Sequence, residues 1–124
     1  MTEQNIQSEI LLGHGTTAKL FRNNTGMGWT GEVLKHTKDM IVLKDPRPLH
    51  SGLCKGSSDL IGWLPVVVTP EMVGTTVALF TAVEAKTKTG RVSPAQAIFI
   101  ANVSQAGGRA GVARSKDDAK KILK

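Results

Sequence analysis

The sequence predicts one compact domain of the α/β or α+β class, and three observations carry that expectation. A chain of 124 residues suits a single domain. Its residues are 40% hydrophobic but only 4% aromatic, with no tyrosine, so a core must be built from Val, Ile, Leu and Ala. The apolar pattern also changes period along the chain, giving the order helix, several strands, helix, strand, helix.

Taken in order, Glu3 to Leu12 reads as a short helix, with Ile6, Ile10 and Leu11 on its inner side and Gly13 as its stop. Leu20-Phe21-Arg22 opens a strand. Thr25 to Gly31 is glycine-rich and reads as a loop. Its Gly26-x-Gly28-x-x-Gly31 spacing imitates a dinucleotide fingerprint, but no helix follows and no acid lies at the right distance, so no nucleotide cofactor is expected. Met40 to Leu43 is a second short strand. Lys44 to Ser58, rich in Pro, Gly and Ser, has turn and loop chemistry. Leu60 to Val68 is apolar and β-branched, a strand that bends at Pro65. Thr69 to Gly74 is a connection.

Thr75 to Ala85 gives the clearest strand: Val77, Leu79, Thr81 and Val83 alternate with Ala78, Phe80, Ala82 and Glu84. Ser93-Pro94-Ala95-Gln96 is a helix start. Ser93 can cap, Pro94 suits the first helical position, and Gln96 can complete a capping box. Ala95, Ile98, Phe99, Val103 and Ala106 follow at helical spacing, and Gly107-Gly108 ends the helix. Ala110 to Ala113 is a short strand. Ser115 with Asp118 caps a last basic helix ending near Leu123. No internal repeat or linker interrupts the series, so residues 1–124 are expected to form one domain.

Sixteen Lys and Arg against ten Asp and Glu leave a net charge of +6, which predicts attraction to polyanions such as DNA. Cys54 is the single cysteine, so no internal disulfide can form and a reducing compartment is expected. The polar N-terminus lacks a signal-peptide pattern. The longest apolar stretch, Leu60 to Val68, is too short to span a bilayer. A cytoplasmic protein with no membrane partner follows. His14, His36 and His50 share no metal-ligand spacing, which argues against zinc.

Glu84 and Lys86 stand two apart on a strand and so share a face. An exposed ion pair accounts for them at a gain of at most about 1 kcal/mol. Upstream, Gly56-Ser57-Ser58-Asp59-Leu60-Ile61-Gly62 places an acid at the mouth of the preceding strand. Should the two long strands pair as an antiparallel hairpin, Asp59 would lie beside Glu84. Two carboxylates brought together repel unless a proton or a cation holds them. Mg²⁺ is suited to that place, since it commonly takes one or two carboxylates and leaves sites for water and phosphate. Lys86 would then orient a water or stabilise charge on a phosphate.

Through Asp59 and Glu84-x-Lys86, the chain resembles the PD-(D/E)XK nuclease superfamily. The stretches "GSSDLIG", "VEAKTKTGRVSPAQ" and "AGGRAGVARSKDDA" narrow this to the virus-type replication-repair nuclease (VRR-NUC) domain. The front, "EQNIQSEILL" and "LFRNNTG", is similar to that family's first helix and strand. The resemblance covers nearly the whole chain, as in a stand-alone, phage-type member.

It implies a restriction-endonuclease-like α/β core, a central mixed β-sheet flanked by helices in the order αβββαβ. It also implies Mg²⁺- or Mn²⁺-dependent cleavage of DNA to a 5′-phosphate, and likeness to homodimeric Holliday-junction resolvases. By the same resemblance Asp59 and Glu84 become metal ligands, with the backbone carbonyl of Ala85 as a third and Glu3 on the first helix as a further acid. Glu3 is preferred to Glu9 because it precedes Gln7 by four residues, as in the family's E-x-x-x-Q opening. Lys86 becomes the catalytic lysine, and Gln96 matches the family's helix glutamine. The family's proline before the acid is Ser58 here, a change in the turn and not in a ligand. Arg22, Lys55, Lys88 and Arg91 are expected to contact DNA phosphates. Competing with a branched-DNA endonuclease are a non-catalytic DNA-binding accessory protein and a nuclease of other DNA specificity.

Overall fold

Caps, turns and apolar periodicity divide the chain into α1 (Glu3–His14), β1 (Lys19–Arg22), β2 (Gly26–His36), β3 (Ile41–Ser51), β4 (Leu60–Trp63), a 3₁₀ turn (Pro70–Met72), β5 (Thr81–Ala85), α2 (Pro94–Gln105), β6 (Arg109–Ala113) and α3 (Lys116–Ile122). This computed structural model describes residues 2–124. The class is mixed α/β, with strands in antiparallel and parallel pairs and helices beside them, consistent with a restriction-endonuclease-like fold. Two compact units divide the chain, Met1–Gly62 and Trp63–Lys124.

In the first unit, Thr2 caps α1, its hydroxyl accepting from the Asn5 amide at 3.2 Å. The expected stop at Gly13 is passed, and the helix runs to His14 with Gly15 as its C-cap. A glycine costs a helix only about 1 kcal/mol relative to alanine, so it slows a helix more than it ends one. Ile6 and Ile10, expected on the inner side, are exposed at 44% and 38%. Leu11, the third of them, is half-buried, and polar bonds also tie the helix to β1. The Arg22 guanidinium on β1 donates to Gln7 Oε1 at 2.6 Å and to Ser8 Oγ at 2.9 Å.

The segment expected to be a glycine-rich loop, 25–31, is instead the start of β2, and much of the expected loop after Lys44 belongs to β3. These two long strands form an antiparallel hairpin, from Gly26 opposite Ser51 to His36 opposite Ile41. The register shifts between Thr30 and Glu32 and again between Val33 and Lys35. At the first shift Asp45 takes φ 49°, a left-handed conformation that Asp tolerates. Gly31 lies opposite, where a Cβ would come within 2.8 Å of the Lys44 carbonyl oxygen. Proline and glycine in this ribbon therefore mark an irregular strand pair and not a loop.

β1 pairs with β4. β4 is shorter than the expected 60–68 strand and ends before Pro65. Gly62 permits the approach of the two strands, because a Cβ there would run into the carbonyl of Lys19 and lie 3.0 Å from Leu20 Cα. Gly62→Ala is expected to destabilise the protein by about 1–3 kcal/mol, the usual range for overpacking. A denaturant midpoint unchanged from the parent would show that the strands can separate there at no cost.

In the second unit, β5 and β6 pair in parallel, Thr81 opposite Arg109 through Ala85 opposite Ala113. The expected strand from Thr75 to Ala85 is thus only its second half, since regular structure begins at Thr81. The ladder sets that limit: the amide of Arg109, the first residue of β6, donates to the Phe80 carbonyl at 2.9 Å. α2 begins with the expected capping box, Ser93 Oγ accepting from the Gln96 amide and Gln96 Oε1 from the Ser93 amide. It ends in a Schellman turn. The Gly107 amide donates to the Ser104 carbonyl, the Gly108 amide donates to that of Val103, and Gly107 has φ 96°.

Of the expected apolar stripe of α2, Val103 is fully buried, whereas Ile98 is 62% exposed. Val103 meets the chain where β6 begins, a Cβ on Gly108 lying 2.7 Å from its Cγ1. On α3, Ile122 covers Gly111 of β6, where a Cβ would lie 2.9 Å from its Cδ1. Trp63 meets Phe80 at a tilt of 54°, 4.8 Å between ring centroids, and Phe99 edge-on at 6.1 Å. α3 starts at Ser115, whose hydroxyl accepts from the Asp118 amide at 3.1 Å.

Candidate active site

Lys86 follows the last residue of β5, and its backbone is tied down at once: its amide donates to the Ala113 carbonyl at 3.0 Å. Alternation along β5 puts Ala82 and Glu84 on one side of the strand, and Lys86 continues that side. The expected Glu84–Lys86 pair is present, Lys86 Nζ lying 3.5 Å from Glu84 Oε1. The two side chains are 32% and 20% exposed, so solvent screens the pair in part.

Gln96 reaches the same carboxylate from the first turn of α2. Its Nε2 donates to Glu84 Oε1 at 2.8 Å. Its own Oε1 is held by the Ser93 amide at 2.9 Å. One amide side chain therefore closes the helix cap, as expected, and also holds the acid. Lys86 and Gln96 converge on a single oxygen of Glu84. No partner lies on Glu84 Oε2 among the described residues. A groove of about 490 Å³ opens beside this group, lined by Ala82, Glu84, Gln96, Phe99 and Ile100 among others. Ala85 ends β5 opposite Ala113.

Asp59 lies in the first unit, exposed, one residue before β4. The antiparallel hairpin expected to carry it to Glu84 is not formed, since β4 pairs with β1 and β5 with β6. The loop before it is organised by Asn23, which is not among the expected site residues. The Asn23 side chain donates to Ser57 Oγ at 2.7 Å and to the Ser58 carbonyl at 2.9 Å, and accepts from the Leu53 amide at 3.0 Å. Its backbone amide donates to the Asp59 carbonyl at 2.7 Å. Four bonds from one asparagine thus fix the approach to Asp59. An asparagine just past a strand is the available signal, because its amide can satisfy several loop groups at once.

Glu3 and Glu9 are both exposed on α1. Among the described residues no three His, Cys, Asp or Glu side chains form a metal-holding group. Of the expected phosphate contacts, Arg22 is engaged with Gln7 and Ser8. Lys55, Lys88 and Arg91 are exposed, without side-chain partners among the described residues. No helix among those residues is long and apolar enough to cross a membrane.

A family model, that of the VRR-NUC domain, matches residues 7–117. The match takes in β1, β5 with Glu84 and Lys86, the whole of α2 and β6. No curated protein and no solved structure gives a match.

Proposed function

The chain belongs to the VRR-NUC domain family, and from that premise we propose that it is a metal-dependent DNA endonuclease, selective for branched DNA. The observation that carries this reading is the Glu84 carboxylate, held on one oxygen by Gln96 and Lys86 and without a partner on the other. A buttressed acid beside a lysine offers phosphodiester hydrolysis a cation ligand and a donor for the charge that develops on the phosphate.

Glu84 and the Ala85 carbonyl would hold Mg²⁺ or Mn²⁺. Their oxygens are the donor class that hard divalent cations take. When bound, the cation would supply Lewis-acid polarisation of the scissile phosphate and a more acidic water. The chain's own part is electrostatic. Lys86 donates to a phosphate oxygen as negative charge grows there, and orients the water that displaces the 3′ oxygen in line, leaving a 5′-phosphate. Gln96 keeps the Glu84 carboxylate from rotating. The unpaired cations Lys55, Lys88 and Arg91 hold the DNA backbone, and the net charge of +6 draws it in.

Resolving a junction takes two symmetric cuts, which a two-fold dimer supplies. The β2–β3 hairpin supports a homodimer. Met27, Trp29, Val33, Leu34 and Ile41 on it are each more than half exposed. A two-stranded ribbon is marginal in water until such residues are covered. The lone exposed Cys54 supports action in the cytoplasm, that of the host if a phage encodes the chain.

The purified protein should nick a four-way junction with Mg²⁺ or Mn²⁺ and not with EDTA, and should prefer it to flap, duplex and single-stranded DNA. Binding that persists in EDTA, with no cut under any metal, would favour an accessory DNA-binding protein. Equal cutting of plain duplex would favour a nuclease of other specificity.

A further inference from the structure

The turn after Lys86 is clamped from the far side of the parallel ladder. Arg114, the residue after β6, sends Nη1 to the carbonyls of Thr87, of Lys88 and of Gly90, the last at 2.8 Å. The same turn closes on itself, the Gly90 amide donating to Thr87 Oγ1 at 3.1 Å and to the Thr87 carbonyl at 3.2 Å. Arg114 is itself fixed by the start of α3. Its amide donates to Asp118 Oδ2 at 2.9 Å, and the Asp118 amide donates to Ser115 Oγ. One neighbouring residue, Ala113, accepts from the Lys86 amide at 3.0 Å. The residues that follow β5 are thus gripped at two points by the residues that end β6.

Resting on the nuclease reading above, we propose that Arg114 is a positioning residue for Lys86. It holds the Thr87–Gly90 turn, and through it the backbone that carries the lysine. A guanidinium nitrogen whose two N–H donors are set among three carbonyls of one turn is committed to that turn's shape. Arginine suits this task, because its guanidinium is always charged and rigidly planar, which fixes the direction of both Nη1 hydrogens. The gain in global stability is small, since Arg114 is exposed and the turn lies at the surface. The clamp therefore acts on the placement of Lys86, where an error of about 1 Å can cost about 100-fold in rate.

Junction cleavage by Arg114→Ala and Arg114→Lys, with the melting temperature and hydrogen exchange of residues 86–91, tests this. Arg114→Ala is expected to lose about 10- to 100-fold in kcat, with KM and melting temperature near those of the parent and faster exchange in the turn. Arg114→Lys should recover part of the rate, an ammonium being able to reach some of the same carbonyls. A raised KM at unchanged kcat would make Arg114 a DNA contact and overturn the proposal. So would a rate loss that merely follows a fall in melting temperature, or no change at all. If the parent cuts no DNA under any metal, the nuclease reading fails instead. The exchange measurement then still decides whether Arg114 holds the turn.

Discussion

Lys86→Ala is expected to lower the cleavage rate by about 100- to 1,000-fold, the usual cost of removing one donor aimed at developing charge. Affinity for the same DNA should change little, because one phosphate contact is lost among several. The fold should survive, for three reasons. The Lys86 backbone bond to Ala113 does not involve the side chain. Glu84 keeps its bond from Gln96. The lost pair is partly exposed and so contributes at most about 1 kcal/mol. Single-turnover cleavage and filter binding on one junction separate the two effects. A variant that still cuts at the parent rate removes Lys86 from the mechanism. A variant that loses binding in step with cutting makes it an ordinary phosphate anchor.

What the sequence shows of this protein follows from how local each feature is. The capping box at Ser93 and Gln96 and the Gly107-Gly108 ending are fixed by residues three to five apart, and both are formed as the sequence indicates. Strand lengths are not local. Thr75 to Phe80 alternates as well as Thr81 to Ala85 does, yet only the second stretch has β6 beside it. Alternation prepares a segment for a sheet, but a ladder needs a partner of matching length.

The hairpin hides for the opposite reason. Gly26, Gly28, Gly31, Pro46 and Pro48 look like loop chemistry, yet they sit in β2 and β3. A two-stranded ribbon leaves one edge of each strand unpaired, where a missing proline amide costs no bond. The Glu84–Lys86 pair was legible because a period of two fixes a shared face whatever the strand packs on. Asn23 and Arg114 were not. Each acts on a loop 24 to 35 residues away in sequence, a relation that no spacing rule encodes.

Glu84→Gln changes one oxygen for an amide and should leave the architecture intact, since its remaining oxygen can still accept from Gln96 Nε2. What it removes is charge. The site loses the carboxylate that holds Lys86 at 3.5 Å and that would hold a cation. Cleavage is expected to fall by at least about 100-fold. The Mg²⁺ concentration needed for half-maximal residual rate should rise, an effect Lys86→Ala should show much less. Combining the two changes shows whether the two groups act together. Groups that act as one unit are strongly non-additive, so the double variant should be little slower than the slower single one. Losses that instead multiply would mean that Glu84 and Lys86 serve separate steps. Their 3.5 Å pairing would then be the ordinary surface ion pair that a strand can carry without any chemistry at all.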